Sequence, residues 1–101
     1  MKIYELIPIY ENVKSFYGKA RVCFTGNIAI LQSYTTNVAT IDTKNNIAIV
    51  YGDYSNTTLR HIKEFLRQFG FKADTKKQIL SDYCAQNERQ VNWNDYWFNT
   101  W

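Results

Sequence analysis

The stretch Tyr54-Ser55-Asn56-Thr57-Thr58-Leu59-Arg60-His61-Ile62-Lys63-Glu64-Phe65-Leu66 decides the fold, because strand-like sequence changes to helix-like sequence within it. From here the apolar residues recur at steps of three and four: Leu59, Ile62, Phe65, Leu66 and Phe69. That spacing places them on one face of an α-helix. The pattern predicts a helix over residues 56–69, with Ser55, Asn56 or Thr57 as the N-cap and Gly70 as the left-handed stop.

The sequence before this helix is strand-like, and residues 20–24 alternate polar and apolar side chains. Residues 2–10 form an extended segment whose Pro8 favours a sheet edge, since proline cannot donate to a ladder. Residues 11–18 are a connection. Further strands are predicted at residues 20–24, 27–34, 38–41 and 47–51, separated by short polar turns. We therefore predict an α+β fold in which an antiparallel sheet of four or five strands (residues 2–51) packs one face on the helix.

The sequence after Gly70 predicts a second helix and an aromatic tail. Thr75 and Gln78 match the capping-box pattern, which predicts a short helix near 75–84. Trp93, Trp97 and Trp101 follow at i, i+4 and i+8. Two interpretations of this tail stay open: it completes the core, or it is an exposed anchor for a partner, because tryptophan dominates interface hot spots.

Length and composition indicate a single globular domain over residues 1–101, with residues 85–101 as a possible appended arm. The N-terminus, Met1-Lys2-Ile3-Tyr4-Glu5, has no apolar region of the kind found in a signal peptide. Cys23 and Cys84 make a weak case for a disulfide, so we expect free thiols in a reducing cytoplasm. No apolar run is long enough for a membrane span.

Positive charge is concentrated in residues 60–77, which contain six cations and two anions, whereas the whole chain has a formal charge of +3. Such a basic surface favours an anionic binding partner, either nucleic acid or an acidic surface of another protein. The alternative is an ordinary solvated helix face. Together with the three tryptophans, the predicted binding residues are Arg60, Lys63, Arg67, Lys76 and Lys77.

Catalytic and metal constellations are weak in this sequence. His61 is the only histidine, and we expect it to make a structural hydrogen bond to a strand end or to the Ser55–Thr58 turn, with a partner contact as the alternative. The carboxylates at Asp42, Asp53, Glu64 and Asp82 are predicted to lie in turns or on exposed helix positions. No glycine-rich phosphate loop and no cysteine or histidine spacing typical of zinc occurs. We therefore predict no cofactor, no metal and no enzymatic activity.

Three segments in this order resemble a family of small proteins of unknown function. They are Ser15-Phe16-Tyr17-Gly18-Lys19-Ala20-Arg21-Val22, Leu31-Gln32-Ser33-Tyr34-Thr35-Thr36-Asn37-Val38-Ala39 and the opening stretch from Tyr54 to Leu66. The resemblance covers roughly residues 14–83. The family it suggests occurs in phages, plasmids and other mobile elements of low-GC Gram-positive bacteria, and it offers no catalytic residues to transfer.

What the resemblance implies is a functional context. Small accessory proteins of this kind commonly bind and obstruct host machinery, including CRISPR effectors and other defence nucleases. The expected function is therefore stoichiometric inhibition of a host defence protein or ribonucleoprotein complex, in the manner of an anti-CRISPR protein. The alternatives are a direct nucleic-acid-binding module and, third, a small enzyme. The partner and the oligomeric state are left open.

Overall fold

A computed structural model describes residues 2–84 of the chain and shows a five-stranded antiparallel sheet with two helices. The strands are β1 (Lys2–Glu5), β2 (Ala20–Thr25), β3 (Ile28–Ser33), β4 (Thr36–Asp42) and β5 (Ile47–Val50). They lie in the sheet in chain order. Each strand is hydrogen-bonded to the next one in the chain, which confirms the predicted antiparallel sheet, and β1 lies at one edge.

Strand register explains why one face of the sheet is buried. Val22 lies opposite Leu31, and Leu31 lies opposite Ala39. All three side chains are fully buried. Because successive side chains point to opposite faces, aligned apolar positions on neighbouring strands build a continuous inner face.

Helix α1 (Asn56–Gln68) covers this inner face. Ser55 is the N-cap, and its Oγ accepts the Thr58 N–H at 3.3 Å. Gly70 follows the helix with a φ of 86°, the left-handed geometry expected of a stop residue. Ile62, Phe65 and Leu66 are buried in the core. The predicted helix, its cap and its apolar face are confirmed.

Helix α2 (Lys76–Tyr83) packs beside β5. Thr75 Oγ1 accepts the Gln78 N–H at 3.1 Å, as the capping-box pattern predicts. The reciprocal contact is displaced by one residue, because Gln78 Oε1 accepts the N–H of Asp74 at 2.8 Å. After the helix, Cys84 forms an isolated parallel bridge with Val50. The tail residues 85–101, with Trp93, Trp97 and Trp101, lie outside the described residues.

The prediction for Glu64 was wrong: its side chain is fully buried. One carboxylate oxygen accepts the backbone N–H groups of Tyr10 and Glu11 at 3.0 and 2.9 Å. The other accepts Gln68 Nε2 at 2.6 Å, and the same amide donates to the Ile7 carbonyl oxygen at 2.8 Å. A buried carboxylate is tolerated here because each oxygen has a donor.

The predicted extended segment 2–10 was also too long. Pairing within β1 stops at Glu5, and Leu6 makes one further backbone hydrogen bond to Ala20 before the chain leaves the sheet. Residues 6–19 are therefore a long connection that runs over α1. The Glu64 carboxylate holds two of its amide groups, so these donors bond to a helix side chain instead of a neighbouring strand.

Candidate functional site

A cleft of about 500 Å³ lies where β2 begins, β3 ends and α1 makes its first turns. We call it the basic aromatic cleft. Its lining comes from the connection before β2, the β3–β4 hairpin and the start of α1: Val13, Lys14, Ser15, Phe16, Tyr17, Lys19, Tyr34, Thr57, Arg60 and His61. The three sequence segments that carry the family resemblance thus meet at one place in the fold.

A tight turn at Phe16–Lys19 forms one wall of the cleft. The Lys19 N–H bonds to the Phe16 carbonyl oxygen at 3.0 Å, and the two central residues, Tyr17 and Gly18, have φ values of 55° and 74°. Two positive φ values in succession are the pattern of a type I′ turn. Ser15 Oγ accepts the Tyr17 N–H at 2.8 Å, and Glu5 Oε2 accepts the Gly18 N–H at 3.2 Å. The turn buries Phe16 and leaves Tyr17 79% exposed.

The β3–β4 hairpin forms the opposite wall. Ser33 and Thr36 are paired, so Tyr34 and Thr35 form a two-residue connection in which Tyr34 has a φ of 57°. The Tyr34 N–H bonds to the Lys19 carbonyl oxygen at 2.7 Å, which ties the hairpin to the first wall. The Lys19 ammonium nitrogen lies 5.4 Å from the centroid of the Tyr34 ring, within the range of a cation–π contact.

Both tyrosines occupy backbone conformations that a bulky residue disfavours. A left-handed φ costs an L-residue roughly 1–2 kcal/mol, and glycine or asparagine adopts it more readily. In the β4–β5 turn the left-handed position is occupied by an asparagine, Asn46, with a φ of 58°. At positions 17 and 34 the chain retains aromatic rings instead. Backbone strain of this kind clusters at functional sites. The strain therefore marks the two tyrosine rings as candidate functional residues.

The floor of the cleft is a buried imidazole with hydroxyl partners. His61 Nδ1 lies 2.8 Å from Ser33 Oγ, which in turn lies 3.0 Å from Thr58 Oγ1. The imidazole ring packs edge-on against Phe16 with centroids 4.5 Å apart. Burial lowers the pKa of His61, so the ring is neutral near neutral pH. The structure confirms the expected structural hydrogen bond of His61 to the end of a strand.

The Ser33–His61 pair differs from a nucleophile–base pair in two respects. Ser33 is buried and does not line the cleft. Within residues 2–84 no carboxylate is hydrogen-bonded to either side chain, whereas a Ser-His mechanism uses a third group to orient the imidazole. The geometry therefore fits a structural role for Ser33, with His61 held in a fixed orientation.

Positive charge in the cleft is uncompensated. Lys14, Lys19 and Arg60 make no ion pair with any residue of the described part of the chain. Among residues 2–84 no acidic residue lines the cleft, and the first turn of α1 contains none either. The positive end of the helix dipole adds to the same field. The site is therefore suited to an anion.

The predicted basic set is only partly gathered at this site. Arg60 lines the cleft, whereas Lys63 and Lys77 lie outside it. Arg67 and Lys76 also lie outside and are ion-paired, with Glu11 at 3.4 Å and Asp53 at 2.6 Å. Sequence reasoning missed the cleft residues contributed by other segments: Lys14, Tyr17, Lys19 and Tyr34.

Neither a cluster of metal-binding side chains nor a membrane-spanning helix occurs among the described residues. Within residues 2–84 no group of three His, Cys, Asp or Glu side chains is placed to hold a metal. Cys23 and Cys84 are both free thiols. Neither α1 nor α2 has the length and apolar character needed to cross a bilayer.

The fold and the cleft define a small α+β protein with a preformed basic aromatic site. The chain belongs to DUF8033, a family of unknown function whose profile matches residues 4–81. The match begins earlier than the resemblance suggested, because it includes the end of β1 and the whole connection to β2. No curated protein and no solved structure matches the chain.

Proposed function

We propose that this chain is a non-enzymatic binding protein whose basic aromatic cleft binds single-stranded nucleic acid. The observation that carries the proposal is the juxtaposition of uncompensated cations with exposed tyrosine rings at one preformed cleft. Cations attract the phosphates, and aromatic rings stack on unpaired bases whatever their sequence.

Single strands fit this site better than a duplex. A cleft of about 500 Å³ has the size of a small-molecule site and admits a nucleotide, not a double helix. Bases in a duplex are stacked on each other and do not expose their faces to a side chain. Tyr17 and Tyr34 can therefore stack only on unpaired bases.

Charge substitutions at two exposed residues test this proposal. Binding of a labelled single-stranded oligonucleotide is followed by fluorescence anisotropy in a salt titration, with a duplex of the same sequence alongside. Arg60→Gln should weaken binding and lower the salt slope by about 1. The matched control Lys77→Gln removes the same charge from an exposed residue outside the cleft and should leave affinity nearly unchanged.

Two results would contradict the proposal. Absence of binding to any single strand at low salt removes the nucleic-acid function. Equal effects of the two substitutions would show that the cleft is not the contact site. The binding surface would then be the broad basic segment 60–77.

A second candidate function is the stoichiometric inhibition of a host defence complex in the bacterial cytoplasm. The observation that favours a protein partner is a row of exposed apolar side chains on the β1–β2 connection: Ile7, Ile9, Tyr10 and Val13. Contiguous apolar exposure is typical of protein interfaces. The Glu64 carboxylate accepts the Tyr10 N–H, and the Gln68 amide donates to the Ile7 carbonyl oxygen. These bonds hold the row in place, which lowers the entropy lost on binding.

This second candidate is tested by comparing two exposed isoleucines. Ile9 lies in the row, whereas Ile47 is on β5. A defence protein captured from bacterial lysate by the wild type and by Ile47→Ser, but lost with Ile9→Ser, would support it. Equal capture by both variants would exclude the row as the interface. The phage origin and the identity of the partner remain predictions.

A further inference from the structure

We propose that the basic aromatic cleft takes a single unpaired nucleotide with its base inward, so that the base edge contacts Nε2 of His61 and the phosphate lies among Lys14, Lys19 and Arg60. This inference rests on the proposed function and adds the ligand unit, its orientation and the residue that contacts the base.

The hydrogen-bond arrangement of His61 leaves one ring nitrogen for a ligand. Nδ1 is engaged with Ser33, which in turn contacts Thr58. Nε2 has no hydrogen-bond partner among residues 2–84, although the side chain is only 2% exposed and lines the cleft. A buried polar atom normally has a partner. The unpaired nitrogen therefore points to a polar ligand atom at the floor.

The layering of the cleft sets the orientation of that ligand. Its floor is aromatic, formed by Phe16 and the imidazole, and Nε2 is the polar atom left to a ligand there. Tyr17 and Tyr34 form exposed walls, and the cations are exposed at the rim. A matching ligand has a planar body, a polar edge and an anionic group at the opposite end. A nucleobase joined through its sugar to a phosphate has these three parts in that order.

Simpler anions match only part of the site. Inorganic phosphate satisfies the rim cations but provides no planar group for the exposed tyrosine rings and no polar partner for Nε2. A nucleoside satisfies the floor and leaves the rim charges uncompensated. We therefore expect a nucleoside 5′-monophosphate to bind more tightly than either part alone, because each part removes a separate unsatisfied feature.

Nuclear magnetic resonance of the imidazole tests the floor contact directly. His61 is the only histidine in the chain, so the imidazole nitrogen signals of the full-length protein are unambiguous. Nucleoside 5′-monophosphates and a single-stranded oligonucleotide should shift the Nε2 resonance more than Nδ1. Inorganic phosphate should shift the amide signals of the rim and leave Nε2 in place.

The outcomes separate this inference from the proposed function. If anisotropy shows oligonucleotide binding but the Nε2 resonance does not change, the base does not point inward. The proposed nucleic-acid function would not be contradicted by that result. Absence of binding by oligonucleotide and mononucleotide overturns both. When Nε2 shifts, tighter binding of the oligonucleotide than of the mononucleotide supports a strand as the ligand. Equal affinities with the same shift support the inward base and contradict the single-strand function, because the ligand is then a free nucleotide.

A pair of glycine substitutions tests the tyrosine wall without disturbing the backbone. Tyr34→Gly removes the ring at a positive φ that glycine adopts freely, so the hairpin is retained. Loss of a stacking partner should weaken nucleotide binding about tenfold. Asn46→Gly makes the same kind of change in the β4–β5 turn and should leave affinity within about twofold.

Two further results would contradict the wall contact. Wild-type affinity of Tyr34→Gly, with an unchanged circular dichroism spectrum, would show that the ring does not stack on the ligand. Displacement of the nucleotide by a phosphotyrosine peptide of higher affinity would assign the cleft to a protein ligand instead.

Discussion

Glu64→Gln tests whether the buried carboxylate anchors the β1–β2 connection to α1. The amide oxygen of the variant can still accept from Tyr10 and Glu11, but its NH₂ group then faces the NH₂ of Gln68, which also donates to Ile7. One charge-assisted bond is lost, worth roughly 1.5–3 kcal/mol, and two become neutral, each weaker by about 1 kcal/mol. The neutral amide recovers part of this through its smaller desolvation cost.

We therefore expect the free energy of unfolding to fall by about 2–4 kcal/mol, a large share of the stability of a small domain. Urea denaturation followed by far-ultraviolet circular dichroism measures it, and the slope with denaturant should not change. Asp82→Asn is the matched control, since this exposed carboxylate also accepts a glutamine amide, that of Gln78 at 2.7 Å. The control should change stability by less than about 0.5 kcal/mol. A loss for Glu64→Gln as small as that of the control would refute the anchoring role.

The same carboxylate has a pH signature. Burial alone raises the pKa of Glu64, but hydrogen bonds from the Gln68 side chain and from backbone N–H groups outweigh it and lower the pKa. A group whose pKa is lower in the folded state stabilises the fold above its unfolded pKa, about 4.3, and that contribution disappears as the pH falls through the folded pKa. The stability difference between wild type and Glu64→Gln should therefore shrink under acid conditions. A difference that is constant with pH would contradict the ionised carboxylate.

Three further predictions concern α1 and the floor of the cleft. Ser55→Ala removes the N-cap acceptor and should cost about 1 kcal/mol in urea denaturation, whereas an unchanged midpoint would show that the cap is dispensable. Phe65→Ala empties a fully buried core position and should cost about 3–5 kcal/mol, measurable as a large fall in the thermal midpoint. Because burial lowers the pKa of His61, the unfolded chain takes up the proton first, so stability should decline as the pH falls below about 6.5. His61→Gln should abolish that decline, and a wild-type midpoint that is flat over this range would contradict it.

The elements that are predicted correctly from the sequence are those whose signal lies in neighbouring residues. The apolar face of α1, its serine cap and the Thr75 cap of α2 depend on residues within four positions of each other. The strand-like runs likewise predict the strands themselves, although residues 28–31 in β3 and 38–41 in β4 are buried consecutively and do not alternate. Glu64 could not be predicted in this way, because the amides that bind it lie more than fifty positions earlier in the chain. On a helical projection it is simply a charged residue beside other charged residues.

The candidate site was less predictable than the fold, because its parts are scattered along the chain. Arg60 and His61 were singled out from the sequence, but Lys14 and Lys19 are isolated charges until the β1–β2 connection folds against α1. The positive φ of Tyr34 accompanies a backbone hydrogen bond to Lys19, which no local pattern reveals. The basic run 60–77 overstated the charge available on α1 and α2, since Arg67 and Lys76 are ion-paired with distant carboxylates.

The length of the β1–β2 connection strengthens the case for a functional site. Connections of a dozen or more residues without regular structure are uncommon in compact domains and are usually functional or disordered. Residues 6–19 are held in place. Glu64, Gln68 and the backbone of β2 bind the first part, whereas Glu5 and the backbone of the β3–β4 hairpin bind the last part. Residues outside the cleft therefore order the wall that contains Tyr17. Because this ordering occurs on folding, a ligand meets a preformed cleft and loses little binding energy to loop closure. A connection that served only to join β1 to β2 would need neither a buried carboxylate to hold it nor a strained tyrosine at its end.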